Sequence, residues 1–192
     1  MKKSIIVVMA LSAGVASAAE SYSRANRWEA YGYGSYLSGA DSTKSGSVKI
    51  ELGKGFAGGA GFGYNFSDYL NLNTTIGVGT IDIKGSSPGT SIEIDSTIFT
   101  MDVGLDYNIL KKPLTPFITG GVGFIHFGGD IGGSNATISE TDLTYGVGGG
   151  LRWDINERWF LKAMYRANWT SLQDTDGTSM YHSFTLGVGV KF

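Results

Sequence analysis

Hydrophobic and polar positions alternate along this chain with a period of two. From His182 to Phe192 the even positions are His182, Phe184, Leu186, Val188, Val190 and Phe192, and the odd ones are Ser183, Thr185, Gly187, Gly189 and Lys191. Such alternation marks a strand with one apolar face. A helix would gather Phe184, Val188 and Phe192 but scatter Leu186 and Val190. The same rhythm recurs backwards through Trp159–Ser171, Asp142–Trp153, Thr115–Phe127, Ser96–Tyr107, Tyr69–Ile83 and Phe56–Phe66. In Trp159–Ser171, for example, Trp159, Leu161, Ala163, Tyr165, Ala167 and Trp169 oppose Phe160, Lys162, Met164, Arg166, Asn168 and Thr170. In Trp28–Leu37 the face that carries Tyr31, Tyr33 and Leu37 also carries Glu29, so the pattern does not orient this strand.

These segments predict eight strands, joined alternately by tight and by long connections. The tight ones are Asn65–Asp68, Asn108–Pro113 and Asp154–Glu157, and the long ones, rich in Ser, Thr, Gly and Asp, are Ser38–Gly55, Lys84–Ser91, Gly128–Glu140 and Gln173–Met180. Short turns at one end and long loops at the other describe an antiparallel up-and-down meander, and eight strands are enough to close it.

Alternation alone does not say which face lies outside, because a soluble lipocalin-like barrel alternates too, with its apolar face inward. Glycine crowds the polar face, as in Gly59, Gly61, Gly63, Gly121, Gly123, Gly146, Gly148 and Gly150. It offers a water-facing strand nothing but relieves crowding inside a small barrel. Charged residues make up 17% of the chain, below the ~25% usual in soluble domains. Aromatics mark the short-turn ends (Trp28, Tyr64, Phe66, Tyr69, Tyr107, Trp153, Trp159, Phe192), and a looser set marks the long-loop ends (Tyr36, Phe56, Phe127, Trp169, Tyr181). Two aromatic girdles around an aliphatic band are what the two membrane interfaces select. The expectation is an all-β fold, an eight-stranded antiparallel up-and-down transmembrane β-barrel.

The N-terminus fits that destination. Lys2 and Lys3 precede an apolar stretch from Ile5 to Val15, and Ala16-Ser17-Ala18 supplies small residues for signal peptidase. This reads as a secretory signal peptide over residues 1–18, followed by one barrel domain over 19–192. The apolar run is far below the ~20 residues of a spanning helix. There is no cysteine, so no disulfide framework or thiolate metal site is expected. A formal net charge of −2 gives no footprint for nucleic acid.

The ending Leu186-Gly187-Val188-Gly189-Val190-Lys191-Phe192 resembles the last strand of outer-membrane barrels, and Pro116–Phe124 resembles the fifth strand of the small OmpA/OmpX-like, opacity-type surface proteins. The resemblance covers the whole expected mature chain. It implies residence in the cell outer membrane and contact with its lipids and lipopolysaccharide. It further implies that Leu186, Val188, Val190 and Phe192 form the signal read by the barrel-assembly machinery.

Candidate chemistry is sparse. Asp102, Asp106, Asp142, Arg152, Lys162, Arg166 and Lys191 fall on the inward face. They are expected to pair there, because an unpaired buried charge is costly. Of these, Asp102, Asp106, Arg152, Lys162, Arg166 and Lys191 form the expected interior charge network. The leading expectation is a structural or surface-interaction barrel without a wide pore or cofactor, meeting any extracellular partner through its long loops. One alternative is a conduit for small apolar solutes, with Ile81, Ile125, Phe160 and Met164 lining the lumen. Another is an outer-membrane lipid-modifying enzyme. For the latter, His126 and His182 are the only histidines. Ser183 points away from His182, and His126 has Gly128 where a same-face serine would be needed. N-terminal sequencing of the membrane-inserted protein should read from Ala19 or Glu20; retention of Met1 would refute the leader.

Overall fold

In the computed structural model the described residues are 22–40, 42–45, 48–87, 90–130, 137–171 and 178–192. The expected signal peptide, residues 1–18, and residues 131–136 and 172–177, which fall in or at the edge of runs expected as long loops, lie outside them. The strands are β1 (Arg27–Gly39), β2 (Ser42–Ser45), β3 (Val48–Asn65), β4 (Leu70–Ser87), β5 (Thr90–Asn108), β6 (Leu114–Asp130), β7 (Thr137–Asp154), β8 (Trp159–Ser171) and β9 (Thr178–Lys191). Every pairing is antiparallel between sequence neighbours, except that β1 pairs with both β9 and β3 and so closes the barrel. The closing registers run from Arg27↔Asn65 to Ser38↔Lys54 on one side and from Glu29↔Lys191 to Gly39↔Tyr181 on the other. Eight strands form the wall; the four-residue β2 lies outside it, paired only with β3.

The faces follow the alternation. Leu186 is 69% exposed, Val78 61% and Val147 57%, whereas Phe160 and Ile98 on the inward face are 0% exposed. On β1, Glu29, Tyr31, Ser35 and Leu37 are buried inward and Trp28 faces out. Packing decides what the pattern left open. Tyr31 stands opposite Gly61 and Gly189, and a Cβ at Gly61 would lie 2.2 Å from the Tyr31 Cζ. The glycines of β3 and β9 thus make room for the tyrosine of β1.

Two expectations need correction. Strand pairing reaches into the runs expected as long loops. Strands β3 to β7 are 17–19 residues long, against the ~9–11 that cross the hydrocarbon. Pairing continues past the membrane band through Lys84↔Glu93 and Ser87↔Thr90, and β2 occupies part of Ser38–Gly55. Polar side chains hid this, but the backbone groups still satisfy one another best in a ladder. The outer girdle also differs. Phe127 and Tyr181 are buried in the lumen, and Phe99, Phe124, Tyr145 and Phe184 face outward. Strand-end position suggested the girdle for Phe127 and Tyr181, but their odd parity puts them inside.

Two glycine classes emerge on the inward face. A Cβ at Gly187 or Gly104 meets its nearest neighbour at 3.3 Å, whereas one at Gly148 would lie 2.1 Å from the Tyr165 carbonyl oxygen. In denaturant titrations of the barrel refolded into vesicles, Leu186→Arg, Val103→Arg and Val147→Arg should each cost roughly 2–4 kcal/mol. Gly187→Ala and Gly104→Ala should cost less than about 1 kcal/mol, while Gly148→Ala should be as damaging as an arginine. Harmless arginines with severe alanines at Gly187 and Gly104 would reverse the faces.

Candidate functional site: the barrel lumen and its rims

The lumen is filled in three layers. Toward the long-hairpin end, Leu37, Ile81, Ile98, Ile125, Phe127 and Tyr181 form a buried apolar cluster with Ala57 against it. They come from β1, β4, β5, β6 and β9, so five strands contribute to one seal. Ile81 and Ile125 are therefore packed core side chains.

Below the seal lies a cavity of about 100 Å³, bordered by Tyr33, Thr75, Thr100, Asp102, Arg166 and Asn168 among others. That is room for a few waters. Here Arg166 donates to Asp102 Oδ1 at 3.3 Å, and Asn168 Nδ2 donates to Ser183 Oγ at 3.1 Å. The Tyr33 hydroxyl donates to the Ile76 carbonyl at 3.3 Å.

The third layer, at the short-turn end, is ionic. Lys162 donates to Asp106, and its ammonium lies 5.3 Å from the Tyr31 ring centroid and 5.0 Å from that of Phe117. Arg152 pairs with Glu29 at 2.8 Å and Asp154 at 3.2 Å while its guanidinium sits 4.3 Å over the Phe160 ring. Lys191 reaches Asp154 at 2.7 Å. Planar guanidinium over an aromatic face, with carboxylates at its edge, uses all sides of the arginine.

Of the six charges expected inside, the structure brings Asp102 to Arg166 and Asp106 to Lys162. Arg152 and Lys191 share Asp154 rather than meeting each other. Asp142 is buried as well. Glu29, Asp154 and Arg24 complete the network and were missed. Glu29 sat in the one ambiguous strand, and Asp154 looked like a turn residue. Arg24 precedes the first strand and carries no periodic signal.

Arg24 is fully buried at the mouth. Its Nη1 donates to the Asp68 carbonyl at 2.8 Å, and its Nη2 donates to the Lys112 carbonyl at 2.8 Å and to Asp154 at 3.2 Å. One side chain therefore ties together all three tight connections. Its backbone N–H also donates to Asp68 Oδ1 at 2.9 Å, and Lys111 pairs with that carboxylate at 2.7 Å. Burial pushes the Asp68 carboxyl upward, but Lys111, the Ser23 hydroxyl and the Arg24 N–H outweigh it and hold it at about 2. The hydrogen bond to Asp68 raises Lys111 in turn. Burial, reinforced by Asp154, raises the Tyr22 hydroxyl, which accepts from Lys191 at 3.2 Å.

On the outer wall, Leu186, Val188 and Phe192 of the terminal strand are exposed and Val190 is half-buried. Phe192 exchanges two backbone hydrogen bonds of 2.9 Å with Trp28, sealing the seam between the chain's first and last strands. Both histidines face outward. His126 Nδ1 lies 2.8 Å from the Thr141 hydroxyl and His182 Nδ1 2.8 Å from the Tyr165 hydroxyl. Ser183 is buried in the lumen. Among the described residues no cluster of three metal-ligating side chains exists.

The profile of the outer membrane protein beta-barrel domain family matches residues 5–192. The chain belongs to that family, and its home is the cell outer membrane. Comparison with curated proteins gives no match. Among solved structures it is similar to Neisserial surface protein A, at 20% identity over 86% of this chain and 97% of that one, with a TM-score of 0.62. It is also similar to the outer membrane protein OprG of Pseudomonas aeruginosa, at 13% identity over 88% and 96%, with a TM-score of 0.67. The N-terminal β-barrel domain of OprF from the same organism gives 16% identity over 88% and 98%, with a TM-score of 0.52. At these identities the likeness is one of fold.

Removing one partner from the buried Lys162–Asp106 pair leaves a charge between two aromatic rings. Asp106→Ala should lower stability in vesicles by roughly 3–5 kcal/mol, and Asp106→Leu combined with Lys162→Met should restore most of it. A single-variant cost below about 0.5 kcal/mol would show that the pair is not desolvated.

Proposed function

We propose that this barrel is a sealed anchor that carries its long hairpins above the outer leaflet for contact with a partner outside the cell. The observation that supports this most directly is the contrast between the two ends of the wall. The lumen is closed by the apolar seal and the ion layer, while β3 to β7 run on past the aromatic belt as a paired sheet. Short connections belong to the periplasmic side and long ones to the exterior.

A packed interior argues against a conduit for apolar solutes. A space of about 100 Å³ has room for a few waters, not for a solute in transit. It argues equally against an enzyme using the lumen charges, since these are occupied with one another. The barrel acts without a cofactor. Leu186, Val188, Val190 and Phe192 present one apolar edge to the barrel-assembly machinery, and the outward belt meets outer-membrane lipids and lipopolysaccharide.

Protease added to intact cells should cut within Ser38–Gly55, Gly128–Glu140 or Gln173–Met180 and spare the turns at Ser67 and Asn156. Deleting 131–136 or 172–177 should reduce adhesion or serum survival and leave the uptake of small solutes unchanged. Cleavage at the turns would invert the orientation. Loop deletions that alter only uptake would replace the anchor with a conduit.

A further inference from the structure

The outer wall is not uniform. Across β7, β8, β9, β1 and β3 it carries a groove of about 710 Å³ that opens toward the hydrocarbon. Its walls are Tyr36, Phe56, Tyr165, Phe184 and Leu186, and its floor includes Gly34. The register makes one row of the aromatics, Phe56↔Tyr36↔Phe184↔Tyr165. An additional Cβ at Gly34 meets nothing within 4 Å, so the floor is open space rather than close packing. Its lining is almost wholly apolar, so the space fits a lipid chain.

The next row toward the long hairpins is different in kind. It reads Lys54↔Ser38↔His182, directly above Phe56, Tyr36 and Phe184. All three side chains lie on the outward face by parity. Lys54 is exposed and makes no ion pair among the described residues. His182 is held against Tyr165 by the 2.8 Å hydrogen bond at Nδ1 and by ring stacking at 5.5 Å. Its Nε2 has no partner among the described residues. Across the β3 bulge the row meets Asp82, so it is on the β1–β9 side that the cation, hydroxyl and imidazole offer chemistry for phosphate oxygens. Their position at the extracellular edge of an acyl-sized groove selects a lipid of the outer leaflet.

We propose that this groove is a specific lipopolysaccharide site. One acyl chain lies between Tyr36, Phe56, Phe184 and Leu186 over Gly34, and a phosphate of the lipid A head is held by Lys54, Ser38 and His182. The site deepens the anchor reading and rests on its orientation, since the same row at the periplasmic side would meet phospholipid. Fixing one lipid beside the β1–β3 and β1–β9 seams would set the height at which the hairpins emerge.

The test uses the mature barrel refolded in detergent and titrated separately with diphosphorylated lipid A, dephosphorylated lipid A and phosphatidylglycerol. Bound lipids are counted by native mass spectrometry. One tightly held diphosphorylated lipid A per barrel is expected, with the other two lipids weaker. Lys54→Ala should weaken it about fivefold. Gly34→Leu, which fills the floor where space is open, should weaken it about tenfold or more. Val122→Leu on the far wall should change nothing, and gel mobility before heating reports that each variant has folded. Equal retention by Gly34→Leu and Lys54→Ala, or equal binding of phosphatidylglycerol, would overturn the site. So would a dimer of barrels that excludes lipid from the groove. Because the loops take no part, the deletion experiments on intact cells can fail while this site stands, and the reverse.

Discussion

Everything in this molecule depends on one constraint: a backbone N–H or C=O facing hydrocarbon has no solvent to bond with. The sheet must therefore meet itself, and the meeting strand is β1, bonded along one edge to β9 and along the other to β3. The reciprocal bonds between Trp28 and Phe192 finish the seam at the short-turn rim. Once the circle is closed with eight strands, its radius is fixed and the interior can take little more than side chains. The glycine-rich inward face follows from that radius, as does the small size of the cavity.

Inside the circle, side chains must fill space and neutralise charge together. Tyr31 covers Gly61 and Gly189 and lends its ring to the Lys162 ammonium. Phe160 does the same for Arg152, whose carboxylate partners come from β1 and from the end of β7. Each buried cation thus has an acidic partner and an aromatic face. Apolar packing dominates the other end, where Ile98 and Ile125 fill the lumen and the buried Asp142 lies opposite Ile125. The two closures use opposite chemistry for the same geometric task.

Much of this was legible in the sequence because a barrel strand writes its faces directly into a period of two. Leu186, Val147 and Val103 could be assigned to lipid, and Asp106 and Lys162 to the lumen, from parity alone. What parity does not encode is register between strands, and some of the errors have that source. The register gave Arg152 and Lys191 a common partner in Asp154, and it set Gly148 against the Tyr165 carbonyl while leaving Gly187 room. Arg24 lies outside any strand, so no pattern announces that it reaches three turns. Phe127 and Tyr181 were misplaced where position along the strand was allowed to outrank parity. The extended hairpins were hidden because polar residues look alike in a ladder and in a loop.

The closed lumen has a consequence at the scale of the cell surface. An open channel taxes its host with every copy, since each adds a leak through which small toxic molecules enter. A barrel packed with Leu37, Ile81, Ile98, Ile125, Phe127 and Tyr181 adds none if it is the sealed anchor proposed above. On the sealed-anchor reading it is electrically and osmotically silent, and its abundance is limited by lipid area and assembly capacity rather than by permeability. On that reading a bacterium can crowd its exterior with such hairpins and keep its envelope tight.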